Sequence, residues 1–289
     1  MWVFLALGAA LLTSFNPILY KRILSDADSV QVVWGVTMLA LPFLALFTFL
    51  LMPSLPNIDR IFVFSVLGSA GLNAVAHIAS TRALKLADAS LVTPLLIFSP
   101  VFTVLISAVF LNEIPSKRGL LGVGLVLIGA YLLNRNAGAS WITPFKSLAF
   151  TPGVSLMLLA GLFWAITPLF EKLAIQHTYP KNSTFTAFIA TTLLVLILTP
   201  IVINRGKLAV QKLFRQRREL LIAGLVAGIA PVLGYNAFSL GFVGYVTTLF
   251  KLSTLLTLIW SFLFLKERGL VQRLPASIVM VSGAILITT

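Results

Sequence analysis

Apolar residues do not alternate along this chain. They arrive in long blocks, and polar residues are confined to short breaks between the blocks. The blocks cover 2–20, 30–52, 61–80, 89–111, 119–134, 153–175, 184–203, 219–240, 244–265 and 274–288. A helix rises about 1.5 Å per residue, so roughly 20 mainly apolar residues cross the hydrocarbon of a bilayer. The pattern therefore predicts an all-α membrane protein with ten transmembrane helices. The fifth and tenth blocks are short, which fits little tilt or a locally thinned bilayer. The longest polar interval, 135–152, carries Asn, Gly, Ser and Pro and divides the chain into 1–134 and 153–289.

The two parts repeat one another. Ser90-Leu91-Val92-Thr93-Pro94 through Phe110-Leu111-Asn112-Glu113 returns as Gly244-Tyr245-Val246-Thr247 through Phe264-Leu265-Lys266-Glu267. In this register Thr93 meets Thr247, Ser99 meets Ser253, Thr103 meets Thr257, and Glu113 meets Glu267. Asn16-Pro17 falls on Thr167-Pro168, and Lys21 on Lys172. Five helices per copy is an odd number, so the second copy enters the bilayer upside down. The expectation is two inverted five-helix repeats, the arrangement of secondary transporters, in which two related halves exchange conformations.

Composition agrees. The 289 residues are 59% hydrophobic and only 10% charged, where a soluble domain carries roughly 25% charged residues. Mean hydropathy is +1.03. There is no cysteine and there are only two histidines, His77 and His177, so a thiolate metal site or a disulfide framework is excluded and no metal or cofactor is expected. No phosphate-binding loop, dinucleotide fingerprint, zinc-protease helix or nucleophile elbow occurs, which argues against ATP-driven transport, and with eight acidic residues and two histidines no polar catalytic cluster is read for an enzyme. The net charge of +13 does not indicate nucleic acid, because the basic residues sit in the breaks between blocks, where anionic headgroups attract them. The first block lacks a basic leader, and 12–24 recurs as 163–175, so it reads as a retained first helix rather than a signal peptide.

The breaks are not equally basic. Those following odd-numbered blocks hold Lys21, Arg22, Arg82, Lys85, Arg135, Lys146 and Arg205, a run from Lys207 to Arg218, and Lys266, Arg268 and Arg273. The others hold Arg60, Lys117, Arg118, Lys172 and Lys181. The positive-inside rule places the rich side in the cytoplasm and both termini outside. The 204–218 segment suits a short basic helix lying on the membrane.

Few polar residues lie inside the blocks. Lys251 is the sharpest, because a charge in a membrane helix costs about 2.5–3.5 kcal/mol on insertion scales and usually faces a cavity or a partner. Thr247 and Thr254 lie one turn to either side of it. Lys251 either contacts a negative group of a substrate, or snorkels to the interface or meets a buried carboxylate. Asn16-Pro17 and Thr167-Pro168 free backbone carbonyls near helix ends, with Trp164, Glu171 and Lys172 close to the second. Glu171 reads as a proton-coupling carboxylate or as the partner of Lys172. Asn73 and His77 form an i, i+4 pair, and Tyr235 and Asn236 are adjacent. These groups either line a cavity or bond to other helices. Glu113 and Glu267 read as charge pairs at helix ends. Asn182-Ser183-Thr184 fits a glycosylation sequon, a weak pattern.

The segments Ala83-Leu84, Ser90 to Pro94, Ser99-Pro100-Val101-Phe102, Phe110-Leu111-Asn112-Glu113, Gly122 and Gly129 resemble the EamA repeat of the drug/metabolite transporter superfamily. The second copy keeps Phe264-Leu265-Lys266-Glu267-Arg268 and Gly283 but has Ser253-Thr254 in place of the Ser-Pro step. The resemblance implies a central cavity shared by both halves, alternating access, and a small-molecule substrate. Some similar members carry a Lys-Arg pair in the ninth helix. Lys251 matches the lysine, and Leu252 replaces the arginine whose bidentate fork suits phosphate. The family's usual orientation places both termini in the cytoplasm, against the charge distribution. The expected activity is secondary transport of metabolites or amino-acid-like compounds in a cell membrane, by export or exchange, with an ion or proton as a coupling partner. Lys251, Asn16, Asn73, His77, Trp164, Tyr235, Asn236, Thr247 and Thr254 are the expected substrate contacts. The alternative is a flippase for lipids or lipid-linked sugars.

Overall fold

A computed structural model of the chain describes residues 1–23, 27–52, 54–86, 95–96, 99–134, 152–205, 213–265 and 270–288. They form α1 (Trp2–Thr13), α2 (Asn16–Ile23), α3 (Ser29–Leu51), β1 (Asn57–Ile58), α4 (Arg60–Leu86), α5 (Ser99–Phe110), α6 (Lys117–Asn134) and α7 (Pro152–Gln176). Then follow β2 (Thr178–Tyr179), α8 (Ser183–Ile203), α9 (Arg217–Leu240), α10 (Val243–Phe250), α11 (Leu252–Leu265) and α12 (Leu270–Thr288). Six helical stretches are long and apolar enough to cross a membrane: Trp2–Tyr20, Val30–Leu51, Arg60–Ser80, Pro152–Gln176, Ser183–Ile203 and Arg217–Leu240. Ser99–Phe110 and Pro275–Thr288 are shorter apolar helices. Phe4, Phe49, Phe64 and Phe110 are all exposed, a surface that suits lipid rather than water.

Two of the predicted blocks are not single helices. The first is interrupted at Ser14-Phe15. Pro17 has no N–H to offer Thr13, four residues back, so the ladder ends there and α2 restarts with the proline in its first turn. The ninth is interrupted at Lys251. The Lys251 N–H bonds to Thr248 O and the Thr254 N–H bonds to Lys251 O, both at 3.0 Å, so i→i−3 bonds replace the α ladder at that point. No proline is responsible. Just upstream, the Thr247 and Thr248 hydroxyls donate to carbonyls of Val243 and Gly244, back-bonding of the kind that bends helices. In the fourth block, described helix begins at Ser99; Thr93 and Pro94 lie outside the described residues, as do Glu267 and residues 206–212 of the basic 204–218 segment.

The chain divides into two compact units, Met1–Ala74 with Phe170–Gly241, and Val75–Leu169 with Phe242–Thr289. Each unit draws on both sequence halves, and each includes part of α4 and part of α7.

In the first unit α9 packs against α1 and α3. The Gly224–Gly228 pair faces α3: a Cβ at Gly224 would stand 2.6 Å from Leu39 Cβ, and one at Gly228 would stand 2.6 Å from Phe43 Cβ. Such approach is how membrane helices gain van der Waals contact. At one end of this unit Arg22 reaches Glu219 at 3.5 Å and Arg205 pairs with Asp28. At the other, Asn57 pairs with Tyr179 and Ile58 with Thr178 in a two-strand ladder. Asp59 and His177 lie beside it, 2.6 Å apart. Asn182, of the sequon, is the N-cap of α8, and its side chain accepts the Phe185 N–H.

In the second unit α6 packs against α12 almost backbone to backbone. A Cβ at Gly122 would lie 2.7 Å from Gly283 O, and one at Gly283 would lie 2.6 Å from Gly122 O. Gly129 meets Ala276 O in the same way, whereas nothing lies near Gly124. α5 packs against α10. Glu113 is buried and accepts the Val243 N–H at 2.7 Å. It therefore holds the positive N-terminus of α10.

Candidate functional site

Among the described residues two polar clusters occur in these apolar helices, one in each unit. In the first unit α4 carries Ser65, Ser69 and Asn73 at intervals of four, hence on one face. Gly68 lets α7 come close, since a Cβ there would be 2.8 Å from the Phe170 ring. That approach brings Glu171 onto the polar face. Its carboxylate accepts the Ser69 hydroxyl at 3.3 Å and is also hydrogen-bonded by the side chains of Tyr235 and Asn73. Glu171 and Tyr235 are each only 9% exposed. Ser65 Oγ is buried without a hydrogen-bond partner.

Lys172 does not complete this cluster. Its ammonium donates to Gly241 O at 2.7 Å, at the C-terminus of α9, where carbonyls are unsatisfied and the helix dipole favours a cation. The partners of Glu171 are neutral. The expected Glu171–Lys172 pairing gives way to geometry: successive residues on a helix point about 100° apart.

Asn236, beside Tyr235, is satisfied elsewhere. It accepts the Ser183 hydroxyl at 2.7 Å and donates to Val232 O at 2.7 Å, an inter-helix tie. Asn16, half-buried at the start of α2, has an Oδ1 that is buried with no hydrogen-bond partner. Buried orphan acceptors are uncommon and mark strain or a missing ligand.

In the second unit Lys251 sits at the break between α10 and α11, and its Nζ donates to Leu96 O at 3.2 Å. Leu96 lies four residues before Pro100. A proline nitrogen carries no hydrogen, so residue 100 cannot supply this carbonyl with an i+4 bond, and the lysine does bond to it. The hydroxyls of Thr247 and Thr254 flank the lysine in sequence, but their protons go to their own helix: Thr247 to Val243 O, Thr254 to Lys251 O at 2.8 Å. What they offer outward is lone pairs. His77 meets Trp164 edge to face, with ring centroids 5.2 Å apart and planes at 77°. Ala76, Ala79 and Ala160 around them leave room for the two rings. Thr103 donates to Ala165 O at 3.1 Å, tying α5 to α7.

The chemistry available is a cation at a helix break in one unit and a carboxylate among neutral donors in the other. Among the described residues no group of three or more His, Cys, Asp and Glu could hold a metal ion.

The sequence profile of the EamA-like transporter family matches residues 1–135 and 151–289. The chain belongs to the EamA-like transporter family. As an EamA-like protein it is a multi-pass membrane transporter of the drug/metabolite type. It also resembles a solved structure described as "Crystal structure of protein", with a TM-score of 0.77 and 16% sequence identity, over 99% of this chain and 96% of that one. At that identity the likeness speaks for the fold alone. No curated protein matches the chain.

Residues that sequence reasoning missed in this EamA-like chain are small or backbone. Ser65 and Ser69 look like ordinary packing residues, although their four-residue spacing from Asn73 was a signal. The Leu96 carbonyl was signalled by Pro100.

Proposed function

We propose that the chain is a secondary transporter of small organic solutes in a cell membrane, working by alternating access in export or exchange. In this reading its ten helices form two inverted five-helix repeats, 1–134 and 153–289. Lys251 contacts a negative group on the solute, so the cargo is an anionic or zwitterionic metabolite such as an amino-acid-like compound. His77, Trp164, Thr247 and Thr254 contribute further contacts. Leu252 stands beside Lys251 where a second cation would suit phosphate, which favours carboxylates over phosphorylated solutes.

The supporting observation is the state of Lys251. Its ammonium lies at a helix break and, among the described residues, bonds to one backbone carbonyl. A substrate carboxylate offers it a stronger, charge-assisted bond. The test is uptake and efflux in reconstituted vesicles with labelled amino acids, organic acids and sugar phosphates, comparing the native chain with Lys251→Ala. At least one carboxylate solute is expected to move, and to move at least tenfold more slowly in the variant. Equal rates for every anionic solute would remove the role given to this lysine.

A further inference from the structure

Glu171 has no task in the reading above. It is the only carboxylate in α7, and α4 has none. In α9 the only other acid is Glu219, in the first turn. Glu171 lies five residues before the end of α7, roughly 8 Å along the axis, and is nine-tenths buried. Its hydrogen-bond partners, Ser69, Asn73 and Tyr235, are uncharged.

An ionised carboxylate in such a place is held by neutral dipoles alone, and a protonated one loses little, because the hydroxyls of Ser69 and Tyr235 can reverse and accept. Both forms are therefore accommodated by the same side chains. We propose that Glu171, with Ser69, Asn73 and Tyr235, is a proton-binding site, loaded and emptied in each transport cycle so that solute movement is coupled to proton movement. The proposal rests on the reading of the chain as a secondary transporter.

The titratable groups around it are few. On its own helix the neighbour is Lys172, engaged with Gly241 O. From α9 it faces Tyr235; α4 holds no titratable residue from Ile61 to Ala76, and the next is His77, one turn past Asn73. Ser65, one turn beyond Ser69 toward the Asp59 end of α4, carries a buried Oγ without a partner. It supplies a second polar point between the loop and the carboxylate, where an entering proton or water can pause.

Two measurements separate this proposal from its premise. The first needs no solute: infrared difference titration of the purified full chain, following the carboxylic acid C=O stretch. A buried band that titrates is expected, is absent in Glu171→Gln, and persists with a displaced midpoint in Tyr235→Phe. An identical titration in Glu171→Gln would overturn the proposal. The second uses vesicles and whichever labelled amino acid or organic acid the native chain moves. A pH gradient is expected to drive accumulation in the native protein, and Glu171→Gln to lower it at least tenfold while leaving solute-for-solute exchange within about twofold. Accumulation that persists in Glu171→Gln, or that follows a sodium gradient instead, overturns proton coupling at this site. If no solute moves at all, the transport reading fails and the infrared titration still decides whether Glu171 takes a proton.

Discussion

Lys251 Nζ donates to the carbonyl oxygen of Leu96 at 3.2 Å, and that carbonyl is the one Pro100 cannot serve. The bond joins two irregularities. α5 is preceded by a carbonyl to which Pro100 can offer no N–H, and α10 gives way to α11 at the residue that donates to it. A lysine that looks expensive in the sequence thus settles a backbone debt created by a proline about 150 residues earlier.

The pairing predicts a non-additive mutant cycle. Lys251→Ala leaves the Leu96 carbonyl unserved and is expected to destabilise the protein by about 1–3 kcal/mol. In Pro100→Ala residue 100 gains an amide that competes with the lysine for Leu96 O. The double variant is expected to be more stable than the sum of the singles implies, by about 1 kcal/mol or more. Melting temperatures of the four proteins in one detergent check this, and additive losses count against the pairing.

The contact between α6 and α12 predicts a steep position dependence. Gly122→Ala and Gly283→Ala each drive a methyl group against a facing backbone oxygen and should cost about 1–3 kcal/mol. Gly124→Ala meets nothing within 4 Å and should be neutral or slightly stabilising, since alanine is the better helix former. Thermal melting of the three variants provides the comparison.

The pair beside the β1–β2 ladder predicts an acid limb. The Phe62 N–H, then the His177 side chain, hold the Asp59 carboxyl below its ordinary value of 3.8. A carboxyl lowered in the folded state contributes stability that is complete above 3.8 and is lost as pH falls through the lowered value. The melting temperature of the native protein is therefore expected to fall more steeply below pH 3.8 than that of Asp59→Asn. The difference should be small, because the pair is partly exposed to solvent. Parallel pH profiles would show that the carboxylate contributes nothing.

Charge predicts orientation. Arg22, Arg205 and Arg217 gather at the end of the first unit where Arg205 meets Asp28, while Arg60 and Lys181 lie near the β1–β2 end. With the basic end in the cytoplasm, a cysteine at the exposed Ser54 is expected to react with an impermeant maleimide on intact cells. One at the exposed Asn204 is expected to react only after permeabilisation. The absence of native cysteine keeps the background clean. The reverse pattern would place both termini inside, as the family's habit implies.

Much of the fold was legible because lipid imposes one rule, that long apolar blocks become helices, and α3, α4, α7, α8 and α9 follow their blocks within a few residues. The break at Lys251 was not legible, because it arises from hydroxyl back-bonding, and a threonine's position in the sequence does not say whether its hydroxyl turns to its own helix or away from it. Within the candidate site, the sequence singled out Lys251 and Glu171 as rare charges. It could not choose their partners, since those depend on which helices meet. Lys172 adjoins Glu171 in the chain yet serves the end of α9, and Asn236 adjoins Tyr235 yet bonds to Ser183 on α8.

The interruption at Lys251 gives this span a joint that is already open. Turning an unbroken helix means rupturing several main-chain bonds at once; swivelling here means trading a single one, from Leu96 to an arriving anion. A cargo lacking negative charge has nothing to offer in that trade. One ammonium group would then serve as latch and as sensor, so that selectivity and motion are read by the same atom.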